Sequence, residues 1–215
     1  MKHLIHRNKA FTLIELLTVI AVIGILAAII IPTVGSVRTS AKKAKTKVQF
    51  SQIIQAYELF KQEYGFYPSL YTSTTSTPNI KKLTGATETR LLAGALTGKE
   101  PNGAKIEDDD KDNLCGNRKR LGFYSFATDE LTNDYKIKDA FGNTEIVIIS
   151  DKNGDGRITK NGTASEKDVA DFEDVTGNDG EIFTKAKLGI PTEGVRASVI
   201  IYSAGDKGKG VKSWE

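Results

Sequence analysis

The pattern of apolar and polar positions changes character at residue 31. From Phe11 to Ile31 nearly every position is apolar, with Thr12, Glu15 and Thr18 as the polar exceptions. About 20 apolar residues are needed for a helix to cross the hydrocarbon core of a bilayer, so this run is long enough to span one. Beyond it the pattern becomes periodic. Val34, Val37, Ala41, Ala44 and Val48 recur at spacings of 3 and 4, which puts one apolar stripe on a helix. The stripe drifts to Ile53, Ile54, Tyr57, Phe60 and Tyr64, while Lys42, Lys43, Lys45, Lys47, Gln52, Lys61 and Gln62 take the other face. Gly65 closes the pattern as a C-cap. The expectation is one helix from Phe11 to Tyr64, with its first half in lipid or a helix bundle. Its second half is expected to pack on a globular head through the stripe.

The head reads less clearly. Residues 72–79 are a polar loop without periodicity. Ile80, Leu83, Leu91, Leu92, Ala95 and Leu96 suggest one or two short helices over 80–97. Opposed charges at 107–110 and 118–120 read as solvated surface. Strand patterns come late, at 123–126, 145–149, 181–183 and 197–202, separated by turns rich in Gly, Asp and Asn. They predict an antiparallel sheet of three or four strands, and hence an α+β fold.

Composition narrows the chemistry. The 215 residues carry 30 basic and 27 acidic side chains, a near-balance that argues neither for nor against nucleic acid. Cys115 is the only cysteine, so no internal disulfide can form. Both histidines, His3 and His6, precede the apolar run, which weighs against a histidine-based catalytic or zinc centre in the head. No Ser-His-Asp set or phosphate loop is visible, and no enzymatic activity is expected. One charge is conspicuous. Glu15 sits inside the apolar run, where an ionised side chain costs about 2.5 kcal/mol or more at the bilayer centre. It is a functional candidate in need of a partner, or it snorkels to the interface.

A second candidate lies after the strongest strand pattern. Asp151, Asn153 and Asp155 alternate ahead of Gly156, with the Arg157 carbonyl next. These match positions 1, 3, 5, 6 and 7 of a calcium loop, because calcium takes six to eight oxygens around a tight turn. Position 12 is Gly162 rather than Glu, so further ligands would come from Glu166, Asp168 or the acidic stretch 171–179. The other reading is a Gly/Asp-rich turn without metal.

The segment Phe11-Thr12-Leu13-Ile14-Glu15, behind a short basic leader, resembles the processing and methylation signature of type IV prepilins and type II secretion pseudopilins. The resemblance implies cleavage between Ala10 and Phe11 by a prepilin peptidase and N-methylation of Phe11. The family usually has Gly where this chain has Ala10. It also implies a partner for Glu15, the α-amino group of Phe11 on a neighbouring subunit. Each charge is costly alone in lipid, and pairing offsets part of that cost. Gly24 and Pro32 are similar to positions in the family between which the helix can lose regularity in the filament. Tyr64-Gly65-Phe66-Tyr67-Pro68, Asp139-Ala140-Phe141-Gly142-Asn143 and Ser203-Ala204-Gly205-Asp206 resemble turns of major pseudopilins, which also hold calcium near the carboxyl terminus.

The resulting organisation is a leader at 1–10, a transmembrane or filament-core helix at 11–32 and an amphipathic helix at 33–65. A variable loop and short-helix region follows at 66–135, then a β-sheet region with the calcium loop at 136–215. The resemblance implies a single-pass inner-membrane protein with its amino terminus cytoplasmic and its carboxyl-terminal domain periplasmic. Its expected partners are copies of itself in a helical homopolymer, prepilin peptidase, the secretion platform and minor pseudopilins. No nucleic acid is expected for the pseudopilus. The alternative is a type IV pilus subunit for adhesion, motility or DNA uptake. A membrane-anchored binding module or enzyme stays open, and a cut after Ala28 would favour a secreted module.

Overall fold

A computed structural model describes residues 12–70, 80–107, 114–151, 154–158, 172–191 and 193–215. The chain forms two compact units, Met1–Ala41 and Lys42–Glu215. Helix α1 (Leu13–Tyr64) supplies the described part of the first and enters the second.

Over a membrane-length window near its start α1 is apolar nearly all round, and none of that window is buried. Leu13 is 82% exposed and Ile31 73%. A helix that is apolar all round is stable only inside lipid or among other helices. The helix runs through Gly24 and Pro32 without interruption in the single chain.

The second unit is built around a four-stranded antiparallel sheet. Its strands are β1 (Ile80–Leu83), β2 (Ile146–Ser150), β5 (Val199–Ser203) and β6 (Val211–Lys212), in the order β1-β2-β5-β6. The central register pairs Val147 with Tyr202 and Ile149 with Ile200. A separate two-stranded ladder joins β3 (Val175–Thr176) to β4 (Ile182–Phe183). Helix α2 (Ala86–Thr97) lies between β1 and β2 in the chain. It stops at Gly98, which is left-handed at φ 66° and donates its N–H to the Gly94 carbonyl.

Two cores explain why β2 and β5 read as unbroken apolar runs. Ile146, Ile148, Val199 and Ile201 pack with Phe50, Ile53 and Tyr57 of α1 and Leu91, Leu92 and Leu96 of α2. Val147, Ile149, Ile200 and Tyr202 point the other way, into Phe172, Phe183, Leu188 and Val195. A strand covered on both faces has no polar side to alternate with.

Three expectations need correction. Where the stripe of Val34, Val37, Ala41, Ala44 and Val48 enters the second unit, at Ala44 and Val48, it is not the side of α1 that packs into the head. All five residues are exposed, Val48 by 57%. Within the second unit α1 buries Thr46, Gln49, Phe50, Ile53, Ala56, Tyr57 and Phe60. At 3.6 residues per turn that face lies roughly 140° around the axis from the stripe. Two apolar faces share the helix, and the apparent drift of the pattern was the change from one to the other. Residues 80–97 are not purely helical, because Ile80–Leu83 pairs with β2 as an edge strand. The region 66–135 therefore contributes to the sheet. Phe123–Phe126 is not a strand. The N–H groups of Phe123 and Tyr124 both donate to the Leu96 carbonyl, and the Phe123 ring stacks edge-on to Phe60 and Tyr64. Aromatic residues gathered here for packing mimic strand composition.

Candidate functional site

Glu15 opens α1 as half of a capping box. Thr12 precedes the first helical residue, and its N–H donates to Glu15 Oε2 at 2.8 Å. The Thr12 hydroxyl donates to the same oxygen at 2.7 Å, and the Glu15 N–H approaches Thr12 Oγ1 at 3.3 Å. A helix leaves its first four N–H groups without intrahelical partners, and this exchange satisfies one of them together with that of the N-cap itself. The carboxylate stands where the helix dipole favours negative charge. Its two bonds use part of the roughly four acceptor positions of a carboxylate, and the others can accept an ammonium group. Ala10 and Phe11 lie outside the described residues. Thr12 was missed as a functional residue, although Thr-x-x-Glu ahead of an apolar run is the sequence pattern of a capping box.

In the head, two turns singled out in the sequence meet. Asp139 is 2% exposed. Its Oδ1 accepts the N–H groups of Phe141 and Asn143, and its Oδ2 accepts Asn143 Nδ2 and the Ser203 hydroxyl. Asn143 also donates to the Gly205 carbonyl and accepts the Asn178 N–H at 2.7 Å. This cluster ties the approach to β2, the end of β5 and the β3–β4 turn together. Glu58 makes a similar tie from α1, accepting from the Tyr67 and Ser198 hydroxyls.

The loop after β2 starts at Asp151, which is 3% exposed. Its Oδ1 accepts the Gly154 N–H and its Oδ2 the Gly156 N–H, both at 2.8 Å. Asp155 accepts the Arg157 N–H, and the Arg157 guanidinium donates to the Glu193 carbonyl. Gly154 and Gly156 both have φ 78°, a left-handed conformation that favours glycine. Asn153, Glu166, Asp168 and Asp171 lie outside the described residues. Among the described residues no three potential His, Cys, Asp or Glu ligands come together. The carboxylate of Asp151 is nevertheless buried with only backbone donors and no cationic side chain among the described residues, which is a fit for a cation on its remaining lone pairs.

The amino-terminal segment matches the family described as the prokaryotic N-terminal methylation motif over residues 5–31. The chain carries the prepilin signature of the pilin-like family. It is 39% identical over 72 residues to the type IV major pilin protein PilA of Myxococcus xanthus, covering 29% of this chain and 33% of that protein. It is 36% identical over 63 residues to the type II secretion system core protein G of Pseudomonas aeruginosa, covering 29% of this chain and 44% of the relative. The corresponding protein of Pectobacterium carotovorum is 28% identical over 64 residues, covering 30% of this chain and 41% of the relative. The chain thus spans less than half the length of the curated relatives it matches. No solved structure matches it.

The motif at residues 5–31 is followed directly by a helix long and apolar enough to cross a membrane. Glu15 and Thr12 stand at the start of this apolar helix. Gly24 lies within it, and beyond the helix's own nearby backbone no atom comes within 4 Å of the place a Cβ would take there. Cys115 is buried in the head, against the first core.

Proposed function

We propose that the chain is a subunit of a helical filament, released from its leader by prepilin peptidase and added to a growing homopolymer from the membrane. The observation that carries this reading is the second apolar face of α1. Val34, Val37, Ala41, Ala44 and Val48 are exposed, and Leu59 continues the same face at 47% exposure. A head-packing helix has no need of that face, whereas a helix packed among its copies buries it. Burial of the anchor and this face against like helices supplies the association energy. Glu15 sets the axial step by accepting the α-ammonium of Phe11 from the adjacent copy. The pair is enclosed in apolar surroundings, so the geometry that satisfies both charges is strongly preferred.

Of the two filaments the relatives represent, we favour the type II secretion pseudopilus. Its support is the single cysteine, which leaves no disulfide to staple the carboxyl-terminal loop. The loop after β2 supports it too. In this reading a calcium ion does the stapling, held by Asp151, Asn153, Asp155 and the Arg157 carbonyl, and neutralises the buried Asp151 carboxylate. The other filament is a type IV pilus.

Glu15→Gln tests the mechanism. Glutamine can occupy the same position in a capping box, so the helix start is retained while the charge is lost. The variant is expected to be processed normally, with Phe11 as its mature terminus, and to give no filaments. Filaments at normal levels would remove charge pairing as the assembly step. A mature terminus other than Phe11 in the natural protein would remove the filament reading itself.

A further inference from the structure

The sequence has no Asp or Glu between Glu15 and Glu58, and Arg38, Lys42, Lys43, Lys45 and Lys47 fall within that interval. In the second unit the four lysines differ. Lys45 pairs with Asp129, and Lys47 donates to the main-chain oxygen of Glu215. Lys42 lies 5.7 Å from the centroid of the Phe141 ring, and both it and Lys43 are exposed. Among the described residues neither makes an ion pair. At 3.6 residues per turn each stands more than about 100° from the Val48 face, so packing of helices through that face would leave both accessible.

We propose that Lys42 and Lys43, flanked by Lys45 and Lys47, bind anionic phospholipid headgroups at the membrane surface where α1 emerges. This rests on the membrane-anchored reading of α1. Lys42 is 11 positions beyond Ile31 in the sequence, or about 16 Å along a helix. The headgroup layer accounts for roughly 5–7 Å of that distance. The remainder is close to one Debye length of about 8 Å, and the flexible lysine stem shortens it further. A lysine ammonium is a compact point charge that accepts phosphate from many directions, as a fluid headgroup layer requires. An acidic patch on a neighbouring subunit is the competing partner. The observations favour lipid because the apolar face through which copies would pack points elsewhere on the helix.

The test uses the full chain in vesicles of phosphatidylcholine containing a minority of phosphatidylglycerol. The motionally restricted fraction of spin-labelled phosphatidylglycerol is compared with that of spin-labelled phosphatidylcholine. Each basic residue close to an anionic surface strengthens binding roughly fivefold, so Lys42→Gln/Lys43→Gln is expected to lower the phosphatidylglycerol preference at least about fivefold. About 1 M salt should abolish the difference between the two proteins. Basic residues of the leader are common to both and cancel. An unchanged preference in the double variant overturns the proposal. An unchanged preference together with lost filament assembly overturns it in favour of an acidic protein partner. Release of the wild-type chain from vesicles by alkaline carbonate is a different failure, that of the anchor reading.

Discussion

Replacing Asp139 by Ala should unfold the head well before any other single change in its loops. The carboxylate accepts four hydrogen bonds at 2.7–2.9 Å while nearly sealed from water. Alanine leaves four donors facing a void. The Ser203 hydroxyl can turn away, and Asn143 Nδ2 keeps the Gly205 carbonyl. The backbone N–H groups of Phe141 and Asn143 have no comparable escape. At about 1–3 kcal/mol for each buried unsatisfied donor, the expected loss is about 3–5 kcal/mol, moderated because a buried charge is also removed. The assay is urea unfolding of a Lys42–Glu215 fragment, a compact unit with its own two cores. Trp214, the only tryptophan, packs edge-on against Tyr202 and reports the transition. With a slope near 2 kcal/mol per M, the midpoint should fall by roughly 2 M. Ser203→Ala deletes one of the four bonds and should lower it by about 0.5 M. An Asp139→Ala midpoint within about 0.3 M of wild type would show that the turns hold together without the carboxylate.

Val48→Lys should leave the fragment's stability within about 0.5 kcal/mol, since the side chain is 57% exposed, yet abolish filaments in the full chain; intact filaments by electron microscopy would return this face to plain surface. Calcium should raise the fragment's melting temperature and excess chelator should reverse the rise, whereas superimposable curves would remove the ion from the loop after β2. Burial tends to raise the pKa of Glu145, but the Thr176 N–H and Lys82 outweigh it and hold the carboxyl below its ordinary 4.5. A group depressed in the folded state stabilises above its unfolded value and loses that contribution as the pH falls through its folded one. Glu145→Gln should therefore melt less steeply with acid than wild type below about pH 4.5, and parallel pH curves for the two proteins would refute this.

Much of the fold was legible because its signals are local. The apolar run, the end of α1 at Gly65 and the strands at 146–150 and 199–203 follow from hydrophobicity and turn residues within a few positions of one another. Where sequence reading failed, the deciding partner was distant. Ile80–Leu83 is a strand because Val147 and its neighbours lie beside it. Lys81 and Lys82 interrupt the apolar pattern that would have announced it. Phe123–Phe126 has strand composition, but its N–H groups found the Leu96 carbonyl instead of a neighbouring strand. In the candidate sites, the exposed carboxylate of Glu15 was readable from its cost in an apolar run. The buried one of Asp139 was not, since a turn with one Asp looks alike whether or not a serine 64 positions away closes on it.

The amino-acid sequence alone determined that an acid-bearing apolar helix leads into an α+β head, because burial periodicity and capping chemistry act over a single helical turn. Only the tertiary structure decided which face of α1 meets the head and which is left exposed. Both faces are apolar and about equally regular. The choice between them was made by the shape of the sheet and α2, which accept Phe50, Ile53 and Tyr57 and leave Val48 in the open.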